Sequence, residues 1–232
     1  MSEPNVTVAA RTHSRANTQK LTSLGMLTAI AYAVMLMSKA LPQISGFLQL
    51  DLKDTVICIG GFVFGPVAAA TISIVVAVVE MFTVSDTGII GLIMNVLATC
   101  VFCCTAAFIY KRNHTKKGAV IGLTLGTILL TLVMMLWNYL ITPLYMRVSR
   151  EMVAGMMMGV FMPFNLIKGG LNMALILLLY KPVVTALRKA KLVPESSTPQ
   201  QSNRRLNAGF LLFALALLAT FVTGALVMMG II

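Results

Sequence analysis

Lys168 lies in the middle of a long apolar run, in the segment PFNLIKGGLN. A membrane helix tolerates an ionisable residue only where it meets a partner or a cavity, so such a residue is a candidate for ligand chemistry. Asn165 stands three residues before it and Asn172 four after. At 100° per residue the three fall within roughly 60° of one another, as one polar stripe. The segment TLVMMLWNYLITPLY supplies a second stripe, Thr131, Asn138, Thr142 and Tyr145, with Trp137 beside Asn138. Asn95 and Glu80 add two polar groups in other apolar runs. Lysine only donates hydrogen bonds, asparagine both donates and accepts, and tyrosine or tryptophan offers an aromatic face with one polar tip. Such a set suits a flat, neutral ligand with several hydrogen-bonding positions.

Each residue also has a purely structural reading. Lys168 pairing with Glu80 or with helix carbonyls would fix the bundle, and Asn95 and Asn172 serve equally as helix-to-helix contacts. For Thr131 the packing role is preferred, and the role of Glu80 stays open between interface and core. A membrane-embedded enzyme using Glu80 or Lys168 as acid or base lacks a second catalytic group at a recognisable spacing. His13 and His114 both lie outside the apolar runs. Cys58, Cys100, Cys103 and Cys104 all sit inside them, where cysteine behaves as a small hydrophobe, so neither a metal site nor a disulfide is expected. The sequence contains no G-x-x-x-x-G-K-[ST] phosphate loop, so ATP-driven work would need another subunit.

The elements that hold these residues are membrane spans. Of 232 residues 58% are hydrophobic and 11% charged, with a mean hydropathy of +0.91. At about 20 apolar residues per crossing the chain has room for six or seven spans and no soluble catalytic domain. Residues 1–20 are polar, without the apolar core of a cleavable signal peptide, and read as a flexible tail with a short amphipathic end. Apolar runs follow at about 21–41, 56–64, 67–84, 88–110, 118–142, 159–180 and 208–232. The second stops at Gly65-Pro66 and is short, the fifth is expected to stop before Pro143, and PLYMRVSREM is expected to be a loop. The first loop, ISGFLQLDLKD, is too mixed to cross a bilayer and reads as a structured extracellular loop ending in Asp51, Lys53 and Asp54. PESSTPQQSN reads as a disordered linker.

The net charge of +11 comes from 18 basic and 7 acidic residues. The basic residues concentrate in the N-terminal tail, in KRNHTKK and after the sixth run, which places those segments and the N-terminus in the cytoplasm rather than marking a nucleic-acid binder. Gly25, Ala29 and Ala33 form a small-residue ridge on the first span, and Gly118, Gly122 and Gly126 another on the fifth.

FLQLDLKD, FGPVAA, TLVMMLWNYLITPLY and PFNLIKGGLNMALILLLYKP, in that order across about residues 21–190, resemble the riboflavin-specific S component of energy-coupling factor (ECF) transporters. The resemblance implies an all-α polytopic bundle with a six-helix membrane substrate-binding domain (21–190); the chain departs from it by a cytoplasmic tail (1–20), a cytoplasmic linker (191–207) and an additional transmembrane helix (208–232) that the family pattern lacks. It implies a binding subunit rather than an enzyme, with no metal and no cofactor. The ligand is riboflavin, taken from outside and carried as cargo, and the partners are a transmembrane coupling subunit and two ATPase subunits. By motif the ligand contacts fall on Leu48, Gln49, Leu50, Asp51, Asn95, Asn138, Asn165 and Lys168, and the coupling contact on Ala29 and Ala33. Within the same fold the alternatives are a different vitamin or a flavin nucleotide such as FMN, for which Arg147 and Arg150 are the available extra cations.

Overall fold

The computed structural model describes residues 4–85, 87–190, 192–193 and 208–231, with side chains described from Asn17 onward. The chain is helical: α1 (Pro4–Ser38), α2 (Lys53–Phe64), α3 (Pro66–Thr83), α4 (Gly88–Arg112), α5 (Lys116–Met146), α6 (Arg150–Met156), α7 (Met162–Lys189) and α8 (Ala208–Met228). Six stretches are long and apolar enough to cross a membrane, beginning at Asn17, Pro66, Gly88, Lys116, Arg150 and Ala208. The protein is an all-α, multi-pass membrane bundle, and its many exposed leucine, isoleucine and phenylalanine side chains, such as Phe82, Ile89 and Leu132, form the surface toward lipid.

α2 is the exception and the key to the architecture. Twelve residues rise about 18 Å, too little to span a bilayer. It packs instead between α1, α3, α4 and α7. Nine of its residues are buried, beginning with Lys53, Asp54 and Thr55. Glycines allow this: a Cβ on Gly61 would come within 3.0 Å of the Ala69 Cβ and 3.1 Å of the Ala107 Cβ. At its end Gly65 takes φ +95°, a conformation that excludes other residues at little cost only to glycine, and Pro66 opens α3 at the position where its missing N–H is harmless.

The first loop is a small hairpin. Ile44 and Leu48 exchange two backbone hydrogen bonds, at 2.7 and 3.0 Å, around Ser45 and Gly46, both at positive φ. It is tied to the end of α1, where the Leu52 N–H donates to Ser38 Oγ at 3.1 Å and Gln49 Nε2 to the Ser38 carbonyl at 3.2 Å.

Several boundaries differ from the sequence expectation. α1 runs back to Pro4 through most of the stretch read as a tail. α5 continues through Pro143 to Met146. Proline is tolerated in membrane helices when nearby groups re-satisfy the backbone, and Asn138 and Thr142 add side-chain bonds to that turn. The segment expected as a loop is partly helical, because Ser149 accepts from the Met152 N–H and starts α6. One wide π-type turn at Met157–Phe161 joins α6 to α7, and α7 extends past Tyr180 to Lys189. The segment read as a disordered linker lies outside the described residues.

The two small-residue ridges have opposite fates. On α5, Gly122 and Gly126 face α4 so closely that added Cβ atoms would lie 3.0 and 2.8 Å from the Ala106 and Phe102 carbonyls. On α1, Ala29 and Ala33 are exposed, and nothing lies within 4 Å of a Cβ on Gly25.

Candidate functional site

The ends of α1, α3, α4, α5 and α7 and the first loop surround a cavity at one end of the bundle. Its walls include Met35 and Ser38 of α1, Phe47 to Asp51 of the loop, Glu80 of α3, Met94 and Asn95 of α4, Met134, Asn138 and Tyr145 of α5, and Phe164, Asn165 and Lys168 of α7. All eight residues expected to contact a ligand, Leu48, Gln49, Leu50, Asp51, Asn95, Asn138, Asn165 and Lys168, line this one space. They come from four separate elements and 121 positions of sequence, and the fold brings them together. Asn172, Thr131 and Thr142 of the two stripes are buried but do not line it.

The polar groups are held in fixed orientations. Asn138 Nδ2 donates to the Met134 carbonyl at 2.8 Å, and its Oδ1 accepts from Thr142 at 2.9 Å. Asn165 Nδ2 donates to the Phe161 carbonyl at 2.8 Å, at the end of the π-type turn, a feature that recurs at functional sites. Asn172 donates to the Asp51 and Lys168 carbonyls at 2.9 and 3.0 Å and accepts from Thr55 at 2.8 Å, which ties the loop to α2 and α7.

A charge network runs from the cavity wall into the bundle, and its inner members Lys53 and Asp54 were missed by the sequence reading. Lys53 is 2% exposed, and its Nζ meets Asp51 Oδ2 at 2.6 Å and Glu80 Oε2 at 2.7 Å. Asn95 Nδ2 also donates to Glu80, at 3.2 Å, and Lys39 approaches it at 3.7 Å. Lys168 therefore does not pair with Glu80; its ion partner is Asp54, at 3.9 Å. Glu80 is buried within this network. Three cations, Lys39, Lys53 and Lys168, balance three anions, Asp51, Asp54 and Glu80. Burial opposes ionisation of the Asp51 carboxyl, but the Lys53 and Lys168 ammonium groups outweigh it and hold that carboxyl below its ordinary range.

The signal that could have found Lys53 and Asp54 is the brevity of α2. A helix stopped after 12 residues by Gly-Pro and carrying paired glycines must be enclosed, and its first residues are enclosed with it. Read locally, DLKD looks like a solvated loop end.

The cavity holds about 180 Å³. An apolar cavity of about 150 Å³ admits benzene, so this space is large enough for a single ring. The chemistry available is binding: donors from lysine and asparagine, apolar walls from Met35, Met94, Met134 and Phe164, and no metal-binding group of histidine, cysteine or carboxylate residues among the described residues.

Residues 19–180 match the family described as ECF transporter, substrate-specific component. Riboflavin transporter FmnP of Bacillus subtilis (strain 168) is 29% identical over 184 residues, 74% of this chain and 97% of its own length. Riboflavin transporter RibU of Staphylococcus aureus (strain TCH60) is 30% identical over 179 residues, 74% of this chain and 93% of its own. The solved S component of a bacterial ECF transporter superposes with a TM-score of 0.63 at 31% identity, covering 74% of this chain and 99% of that one. α8 lies beyond the residues that match the family. A helical membrane bundle with a polar-lined cavity at one end, matched over this length, is a transport component and not an enzyme: the chain belongs to the family of substrate-specific components of ECF transporters.

Proposed function

We propose that this chain captures riboflavin from outside the cell and delivers it through a partner coupling subunit driven by two ATPase subunits. The observation that carries the reading is the convergence of the loop residues Leu48 to Asp51 with Asn95, Asn138, Asn165 and Lys168 on one cavity. An isoalloxazine imide edge alternates donors and acceptors, which asparagine pairs in both senses and lysine pairs at a carbonyl or ring nitrogen. The methionine and phenylalanine walls suit the apolar rings, and loop backbone groups suit the ribityl hydroxyls. The first loop opens to admit the ligand and closes over it.

The basic ends of α4, α5 and α7 lie opposite the cavity, which by the positive-inside rule supports a cavity that faces outside and a cytoplasmic N-terminus. The exposed Ala29 and Ala33 face offers the coupling subunit a close approach.

A flavin fluorescence titration of the detergent-purified protein tests this. Quenching that saturates at one riboflavin per chain and weakens in Lys168→Ala and Asn138→Ala is expected. A folded sample without saturable quenching overturns the reading, and FMN competing more strongly than riboflavin itself reassigns the substrate to the nucleotide.

A further inference from the structure

Asp54 has one carboxylate oxygen anchored and one without a hydrogen bond. Its Oδ1 accepts from Thr99 at 2.6 Å. Its Oδ2 has no hydrogen-bond partner, though the residue is only 1% exposed, and it faces Lys168 Nζ at 3.9 Å. That separation is too long for a hydrogen bond, yet between buried charges it carries a strong attraction. Lys168 reaches the cavity and Asp54 does not line it. The ammonium thus stands with a carboxylate behind it and the cavity in front.

The rest of the network leaves Asp54 to Lys168. Lys53 is held by Asp51 and Glu80 at 2.6 and 2.7 Å, and Lys39 reaches Glu80. An ammonium group has three N–H donors. A close, linear bond to Asp54 would consume one of them and turn the group away from the cavity. Attraction without a hydrogen bond keeps the charge in place and leaves the donors for a ligand. Leaving a buried acceptor unmade is costly, so the arrangement is better explained by what it does for Lys168 than by its own stability.

We propose that Asp54 is a positioning residue for ligand capture, holding the Lys168 ammonium aimed into the cavity so that it donates to a carbonyl or ring nitrogen of the ligand. The inference rests on reading the cavity as the flavin site. Asp54 itself never touches the ligand, and its effect passes entirely through Lys168.

The test is a riboflavin titration of Asp54→Asn, made with Lys168 present and again in the Lys168→Met background. Asparagine keeps the acceptor for Thr99, removes the charge and replaces the oxygen that faces Lys168 with an NH2 group. Asp54→Asn is expected to weaken riboflavin binding about tenfold or more when Lys168 is present, and to cause no further loss in the Lys168→Met background. Thermal stability separates this from a packing role. Asp54→Asn alone leaves the ammonium without its counter-ion and lowers the melting temperature. The double variant restores charge balance and the melting temperature, but not binding.

Equal losses of binding in both backgrounds overturn the inference. If Asp54→Asn fails to fold, Thr99→Val releases Oδ1 without changing any charge, and the same pattern is expected in a smaller, several-fold form. Folded wild-type protein that binds no riboflavin overturns the flavin reading and this inference with it, whereas wild-type binding with additive losses overturns the inference alone.

Discussion

The ring of Phe221 on α8 lies directly against Gly170 on α7, so that a Cβ added to Gly170 would sit 2.1 Å from the ring tip. The contact works as a knob seated on a bare backbone, and it fastens the helix that lies outside the family match. Phe221 belongs to an apolar cluster that also holds Ile167 and Leu171 of α7 and Ile44 and Leu50 of the first loop, so α8 reaches the end of the bundle where the cavity opens.

Gly170→Val is therefore expected to displace α8 and destabilise the detergent-solubilised protein by about 1–3 kcal/mol, the usual range for overpacking. The same substitution in a Phe221→Ala background has room for its side chain and costs less. Thermal melting of the four proteins checks this, and equal costs in both backgrounds would show that α8 does not seat there.

Lys53→Met leaves Asp51 and Glu80 buried and facing each other without their shared cation. Breaking a buried pair from one side costs about 3–5 kcal/mol. Adding Glu80→Gln removes the excess negative charge, so the double variant is expected to melt higher than Lys53→Met alone. A double variant that melts lower than Lys53→Met would contradict a network organised around charge balance.

What was legible in the sequence depended on contrast. Lys168 stands alone in an apolar run, so its burial and its stripe with Asn165 could be read from spacing. Lys53 and Asp54 carry the same kind of charge, but they follow Asp51 at the end of a loop and look solvated. Only the enclosure of α2 by α1, α3, α4 and α7 shows that they are interior. The small-residue ridges make the same point in reverse. Gly122 with Gly126 and Ala29 with Ala33 share one pattern, yet the first is buried against α4 and the second faces outward. Spacing gives the face of a helix, and tertiary packing decides what that face meets. Pro143 was read as a stop because local backbone rules say so, whereas a membrane helix loses more by ending in lipid than by bending through one missing donor.

The Asp51 carboxyl gives a pH dependence with a definite sign. Burial raises its pKa, Lys53 and Lys168 together lower it by more, and the net shift is downward from the ordinary value of 3.8. A depressed carboxylate contributes stability that is fully present above the unfolded value and is lost as pH falls through the folded one. The difference in melting temperature between wild type and Asp51→Asn is expected to hold steady above pH 3.8 and to close beneath it. A difference that grows on acidification would reverse the assigned sign.

Ala29 and Ala33 bear on coupling rather than capture. Both are exposed on α1, on the side that carries Gly25, and neither residue lines the cavity. A tryptophan on this ridge meets open space within the chain, so Ala33→Trp is expected to leave riboflavin titration and thermal melting unchanged. It does prevent another helix from approaching closely, since small residues are what allow backbones to pack at short range in lipid. Uptake by cells or vesicles containing the whole transporter is therefore expected to fall while binding by the isolated subunit persists. Copurification of the coupling subunit with tagged Ala33→Trp protein reads the contact directly. Retention equal to wild type, with normal uptake, would move the coupling surface away from this face of α1.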